Sequence, residues 1–127
     1  MPRVSAAFFA FGALSLLVGM TLGMQMGGSG DFTLMPAHAH LNLLGWVTMS
    51  IYGAFYALTR ETLSEKLAWT NFGLSAAGVI VMIPFLSMML SSGNEALEVY
   101  VALGGGISML GLLVFIVSVV KELFRRR

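Results

Sequence analysis

The chain has 127 residues, of which 57% are hydrophobic and 10% are charged, and its formal net charge is +1. Soluble domains carry about 25% charged residues, so this composition argues against a cytosolic enzyme. The absence of cysteine excludes a disulfide-stapled secreted domain and any zinc or iron–sulfur site built on thiolates. The low net charge argues against nucleic-acid binding. The class of protein that remains is an integral membrane protein.

Four uncharged stretches follow one another along the chain. They cover residues 4–30, 32–59, 67–94 and 99–120. Since about 20 apolar residues cross a bilayer core, each stretch is long enough to span once. The sequence therefore predicts an all-α fold with a single transmembrane domain over residues 1–127. Its helices are expected at about 4–26, 36–58, 67–90 and 97–120.

The connections between these helices are short. Glycine, serine and asparagine predict turns at 27–31 and 91–94, and a polar segment covers 59–66. Pro36 suits the first turn of the second helix, where its missing N–H is not needed. The first helix has no small-x-small cleavage site, so we expect a retained helix rather than a signal peptide.

The basic residues predict how the chain crosses the membrane. In the predicted threading all seven lie on one side: Arg3, Arg60, Lys66, Lys121, Arg125, Arg126 and Arg127. The positive-inside rule then places both termini in the cytoplasm. The expected location is the cell inner membrane, as a multi-pass protein with the second helix starting near the outer face.

The residues most suited to chemistry open the second helix. The segment 36–46 reads Pro-Ala-His-Ala-His-Leu-Asn-Leu-Leu-Gly-Trp and contains both histidines of the chain, His38 and His40. Ionisable residues inside a membrane span are costly and usually functional. The competing interpretation is that both imidazoles are solvated at the interface or bonded to nearby carbonyls.

The spacing of the two histidines separates them around the helix. At about 100° per residue, His38 and His40 point about 200° apart, so they cannot hold one metal ion together. Asn42 and Gly45 share the His38 face, while Leu44 and Val47 share the His40 face. Gly45 lets a flat group approach the backbone. Two flanks predict two half-sites, each completed by another helix or subunit.

Methionine offers a second possible ligand set. Six methionines fall towards the histidine side: Met20, Met24, Met26, Met35, Met88 and Met89. Thioethers with imidazoles suit Cu(I), although methionine is also an ordinary packing residue. The small-xxx-small patterns at 19–23 and 102–106, with three glycines at 104–106, predict close helix packing.

The histidine segment resembles the second-helix motif of heme-copper oxidase subunit I. The B-type pattern H-x-x-L-N-x-L-x-W is matched by His38, Leu41, Asn42, Leu44 and Trp46. The related nitric oxide reductase pattern H-x-N-L-L is matched by His40, Asn42, Leu43 and Leu44. In this superfamily the matching histidine is an axial ligand of the low-spin heme, and the two alignments differ on which histidine that is.

A second likeness concerns the tenth helix of those oxidases. Its H-x-H pair, whose members ligate two different hemes on opposite flanks, is similar to His38-Ala39-His40. The oxidase core consists of twelve helices in three arcs of four, and this chain resembles one such arc. The resemblance implies a homotrimer in which His38 of one copy and His40 of the next bind the same heme, with Asn42, Gly45 and Trp46 around it.

The resemblance therefore implies a membrane b-type cytochrome with bis-histidine heme, for electron transfer or for redox or gas sensing. Heme b is expected because covalent attachment needs C-x-x-C-H. Two histidines leave none for the three-histidine copper site, the cross-linked tyrosine has no match, and the outer loops lack arginines for the propionates. An oxygen-reducing oxidase is therefore not expected, and no catalytic residue is predicted.

Two alternatives remain open. One is a copper-binding membrane protein that uses the histidines and methionines, and the other is a structural or assembly subunit of a respiratory complex. The expected partners are the lipid bilayer, further copies of the chain, and an electron donor or acceptor that is either a protein or a quinone.

Overall fold

The computed structural model describes residues 1–126 as four long helices without a strand. Their bounds are Arg3–Ser29 for α1, Met35–Leu58 for α2, Glu65–Ser92 for α3 and Glu98–Leu123 for α4. A single 3₁₀ turn, Glu95–Leu97, precedes α4. All four helical segments are long and apolar enough to cross a membrane. The prediction of an all-α chain with four membrane-spanning helices is confirmed.

Three helices end two or three residues later than the sequence predicts, since α4 continues to Leu123, and the other two end at a glycine. The first continues through Ser29, and the third continues through Ser92. Each ends at a glycine with positive φ, which is 72° for Gly30 and 69° for Gly93. Since glycine adopts this left-handed conformation without steric cost, these two glycines set the helix ends. The residues before them, which were predicted as turns, remain helical.

Consecutive helices run antiparallel, so the bundle has two ends. The basic end carries the described basic residues from Arg3 to Arg126, and the histidine end carries the start of α2. α1 packs against α2 and α3, while α3 and α4 form the most extensive helix pair.

Small residues let the helices approach closely. A β-carbon placed on Gly104 of α4 would lie 2.6 Å from the main-chain nitrogen of Met82 in α3. A β-carbon on Gly45 of α2 would lie 2.7 Å from the side chain of Ser15 in α1. Such contacts replace the hydrophobic driving force that is absent between helices in lipid.

An unpredicted feature is a π-helical segment, Leu41–Thr48, in the middle of α2. In a π-helix each main-chain N–H bonds to the carbonyl five residues earlier instead of four. Such segments occur frequently at functional sites. The hydroxyl group of Thr48 donates to the carbonyl oxygen of Leu43 at 2.8 Å. The segment begins directly after His40, so the two histidines mark the junction between α-helical and π-helical backbone.

The core at the basic end is aromatic. Phe8 stacks on Tyr56 with ring centroids 5.7 Å apart, and Tyr52 contacts Phe115 at 4.3 Å. These rings join α1, α2 and α4 near the end of the bundle that carries the positive charges. Edge-to-face and offset contacts of this kind stabilise beyond simple area burial.

A buried hydrogen-bonded network lies beside the aromatic cluster. The Asn71 amide nitrogen donates to the Tyr56 hydroxyl at 3.2 Å, and the Ser75 hydroxyl donates to the Asn71 carbonyl oxygen at 2.9 Å. Tyr56 also lies 3.1 Å from the Ser118 hydroxyl. The network therefore ties α2, α3 and α4 together within the span.

Replacing Asn71 with leucine should destabilise the bundle. Asn71 is fully buried, and its loss removes two hydrogen bonds and leaves the Ser75 hydroxyl without its acceptor. We expect the free energy of unfolding in detergent to fall by about 1–2 kcal/mol, the range for hydrogen bonds between membrane helices. Thr70→Leu is the matched control, because Thr70 is exposed on the same helix. Equal stability of the Asn71→Leu variant and the wild type would contradict the assigned network.

Candidate functional site

His38 faces α1 within its own chain. Its Nδ1 atom lies 2.8 Å from the carbonyl oxygen of Gly19, and a β-carbon on Gly23 would lie 3.1 Å from its Cε1 atom. Since a carbonyl oxygen only accepts, Nδ1 carries the proton in this hydrogen bond. In the neutral imidazole with this hydrogen bond, the lone pair is on Nε2.

His40 has the same hydrogen-bond pattern on the other side of α2. Its Nδ1 atom lies 2.7 Å from the carbonyl oxygen of Pro36, one turn earlier in the helix. Nδ1 is again the donor, and in the neutral imidazole Nε2 is again the nitrogen with the lone pair. The residue is exposed on the surface of the bundle. A histidine whose Nδ1–H is held by a main-chain carbonyl is the usual form of a metal-ligating imidazole.

Asn42 lies between His38 and α1. Its amide nitrogen lies 3.3 Å from Nε2 of His38. Its Oδ1 atom is buried without a hydrogen-bond partner and lies where a β-carbon on Gly19 would be. An unpaired buried carbonyl oxygen is costly, so the Asn42 side chain gains little from its present position and is the least satisfied group beside His38.

The other predicted site residues also lie along α1. Ser15 of α1 packs against Gly45. The Trp46 ring lies 3.2 Å from the position of a β-carbon on Gly12, also in α1. The structure thus brings His38, Asn42, Gly45 and Trp46 together against α1, whereas His40 points away from them. Within one chain, the two imidazoles belong to separate surfaces.

The methionines at the histidine end differ in exposure. Met24 is 76% exposed, while Met26 is buried at the same end of α1. Among residues 1–126, no three histidine, aspartate or glutamate side chains lie close enough to hold a metal ion. A metal centre that uses His38 or His40 with carboxylates alone is therefore not formed within the described part of one chain.

The charge at the histidine end is negative. Asp31, Glu95 and Glu98 lie there, and all described basic residues lie at the opposite end. The hydroxyl of Thr33 donates to Asp31 at 2.6 Å and its main-chain N–H donates at 3.0 Å. These bonds hold the pKa of Asp31 below its ordinary value of 3.8. Asp31 is therefore ionised at any pH at which the protein is handled.

Removing the Thr33 hydroxyl should raise the pKa of Asp31. In Thr33→Val only the main-chain donor remains, so we expect an upward shift, while Thr33→Ser should keep the pKa low. Carboxyl-carbon NMR titration measures both. Because the folded-state pKa is depressed, the stabilisation from Asp31 is present above pH 3.8 and is lost as the pH falls through the folded value. Identical titration of the two variants would contradict this assignment.

Besides the π-helical segment, the sequence predictions missed two features. The buried network around Asn71 had only a weak signal, namely an amide and a serine at i, i+4 in an apolar helix. A groove between α2, α3 and α4 had no sequence signal, because its walls come from three separate helices. Both features lie nearer the basic end than the histidines do.

The chain matches no family model, and comparisons with curated proteins and with solved structures find no match either.

Proposed function

We propose that the chain is a membrane b-type cytochrome in which His38 and His40 of neighbouring copies bind the same heme iron. The observation that carries this proposal is the shared hydrogen-bond geometry of the two imidazoles. Each has Nδ1 within hydrogen-bond distance of a main-chain carbonyl oxygen, an arrangement that leaves Nε2 as the ligating nitrogen of a neutral imidazole. Axial ligation of heme iron requires such a nitrogen.

The geometry of α2 supports a heme shared between chains. The two imidazoles lie on opposite flanks of the helix, so a single chain cannot supply both ligands to one iron. A ring of three copies, each using its His38 flank against the His40 flank of the next, satisfies every site equally. This arrangement follows the resemblance of the chain to one four-helix arc of heme-copper oxidase subunit I.

A ligand at Nε2 of His38 requires the residues packed around that ring to move. Binding at Nε2 of His38 requires the Asn42 amide to move from its 3.3 Å contact. Oδ1 of Asn42 already has no hydrogen-bond partner. Rotation of this amide therefore breaks one long hydrogen bond and moves the unpaired oxygen out of its buried position. His40 needs no such change, because its ring is exposed.

The orientation in the membrane follows the charges. We place both termini and the basic end in the cytoplasm, with the histidines near the outer face of the inner membrane. Propionate groups would then have no arginine or lysine beside them. They would rely on water and on main-chain N–H groups at the start of α2.

When bound, heme supplies one-electron transfer between ferric and ferrous iron. His38 and His40 would hold the iron with two imidazoles, which would leave no position for oxygen chemistry. The carbonyls of Gly19 and Pro36 anchor and orient those imidazoles. The function proposed is therefore electron transfer or redox sensing, and gas sensing would require one of the two imidazoles to be displaced.

An absorption spectrum of the full chain tests the proposal. The protein is purified in mild detergent from heme-sufficient cells and measured oxidised, dithionite-reduced and with CO. We expect a sharp α-band on reduction and no change with CO. A colourless protein that gains no spectrum from added hemin would overturn the proposal. Copper without iron in elemental analysis would favour the copper-binding alternative, and co-purification with a larger complex, with both histidines dispensable, would favour a structural subunit.

A further inference from the structure

A groove lies between α2, α3 and α4, one turn below His40. Leu44, Thr48 and Tyr52 form its α2 wall, and its cavity volume is about 280 Å³. These three residues repeat every four positions, and the residue one turn before Leu44 is His40. The groove thus runs along the same flank of α2 as the exposed histidine, within the predicted span.

In the single chain the groove opens laterally at the surface of the bundle, on the side of α2 that carries His40. On α4 it is lined by Met109 and Leu112, which are 57% and 40% exposed. α2 and α4 contact each other through Tyr52 and Phe115 nearer the basic end. This contact closes the groove at the end nearer the basic residues. On the histidine side of it, the gap between α2 and α4 gives a ligand dissolved in the membrane a lateral entry to the single chain.

The lining combines apolar walls with hydroxyl groups. Ser75, Ser108, Thr48 and Tyr52 all line the groove, alongside Val79 and Met82. The Ser108 hydroxyl is buried without a hydrogen-bond partner in the part of the chain that the structure describes. A hydroxyl that is left unpaired in an apolar site favours a ligand that brings an acceptor.

A chain of hydrogen bonds leads from the groove to a second cavity at the basic end. From Ser75 the hydrogen bonds continue through Asn71 and Tyr56 to Ser118. Tyr56 and Ser118 line a second cavity of about 280 Å³, together with the charged residue Glu122. A laterally open groove and a polar cavity thus share one continuous buried hydrogen-bonded chain.

From this juxtaposition we propose that the groove binds the ring of a lipid-soluble quinone. A quinone ring is flat and apolar, carries carbonyl oxygens that accept hydrogen bonds, and has a tail that stays in the bilayer. Thr48 and Ser75 already donate to Leu43 and Asn71, so the donors are the Ser108 and Tyr52 hydroxyls, and these in an otherwise apolar, laterally open groove match the three properties. The binding itself is independent of heme, and only its role as an electron partner rests on the proposed function.

A lipid acyl chain is the competing occupant. It fits the apolar walls and the lateral opening but offers no acceptor to the Ser108 or Tyr52 hydroxyl. The two occupants are distinguished by pairing decylubiquinone with decylbenzene, which shares the tail and a ring but lacks carbonyl groups.

The test is calorimetric titration of each probe into the full chain in phospholipid nanodiscs. We expect saturable binding of decylubiquinone, weakened about 3- to 10-fold by Tyr52→Phe or Ser108→Ala, since each removes one hydrogen bond. Gly105→Leu should abolish binding, because Gly105 lines the groove. Gly106→Leu is the matched control, since a β-carbon there meets nothing within 4 Å.

Several results would overturn the proposal. These are no saturable binding, equal binding of decylbenzene, or Gly105→Leu binding as well as Gly106→Leu. Circular dichroism checks that each variant is folded, and Tyr52→Phe provides a nearly isosteric test if Gly105→Leu is not. A colourless protein that still binds the quinone in this way leaves the groove assignment standing while the heme proposal fails.

Discussion

Gly104→Ala should separate α3 from α4 and lower the free energy of unfolding by about 2 kcal/mol or more, the upper part of the range for overpacking. The added β-carbon would lie 2.6 Å from the main-chain nitrogen and 2.8 Å from the Cα atom of Met82. Both atoms belong to the helix backbone, so no rotation of a side chain relieves the overlap. The helices themselves must move apart, and they form the most extensive pair in the bundle.

The neighbouring glycine provides the control. A β-carbon on Gly106 meets nothing within 4 Å, and alanine is a better helix former than glycine. Gly106→Ala is therefore expected to be neutral or slightly stabilising. Thermal and SDS-induced unfolding in detergent compare the two variants directly. If Gly104→Ala proved as stable as Gly106→Ala, the close approach of α3 and α4 would be wrong.

Gly104 and Gly106 show how much of the helix packing could be predicted from the sequence. The run 104–106 indicated a close helix contact, and the structure has one. Which of the three glycines makes the contact depends on the rotation of α4 about its own axis. An apolar helix in lipid has no polar face to reveal that rotation, because exposed and buried residues are equally hydrophobic.

The helices themselves were predictable because the bilayer imposes a length on them. Charged residues interrupt the apolar stretches only at the ends, so the four spans follow from the positions of residues such as Arg60, Lys66 and Lys121. The π-helical segment was not predictable. Its formation depends on how His38, Asn42 and Gly45 fit against α1, and nothing in local propensity distinguishes Leu41–Thr48 from ordinary α-helix.

The candidate site was also predictable in part, because α-helix geometry fixes the angle between residues two apart. The separation of His38 and His40 around α2 follows from helix geometry alone, and the structure places them on opposite sides. Their hydrogen-bond partners do not follow from it. The carbonyl of Gly19 belongs to another helix, and only tertiary packing brings it to Nδ1 of His38.

Under the proposed function, His38→Ala and His40→Ala should each remove the heme. Each variant lacks one axial ligand of every site in the ring, so neither forms a bis-histidine iron. We expect less than about a tenth of the wild-type heme content, a loss of about 1.4 kcal/mol or more in binding free energy. The reduced absorption spectrum and the pyridine-treated heme content measure this loss. Added imidazole should partly restore the spectrum of His40→Ala, because that position is exposed.

Mixing the two variants separates a heme shared between chains from one held by a single chain. The His38→Ala chain still offers His40, and the His40→Ala chain still offers His38. In a ring of three that contains both kinds of chain, one interface pairs an intact His38 with an intact His40. Random equal co-expression should therefore restore about a quarter of the wild-type heme, because about three quarters of the rings are mixed and each regains one site of three. Each variant expressed alone sets the baseline. Heme above that baseline would show that the iron is bridged between copies, since no other arrangement of these two histidines lets two defective chains repair each other. A mixture with no more heme than the baseline would contradict the shared site.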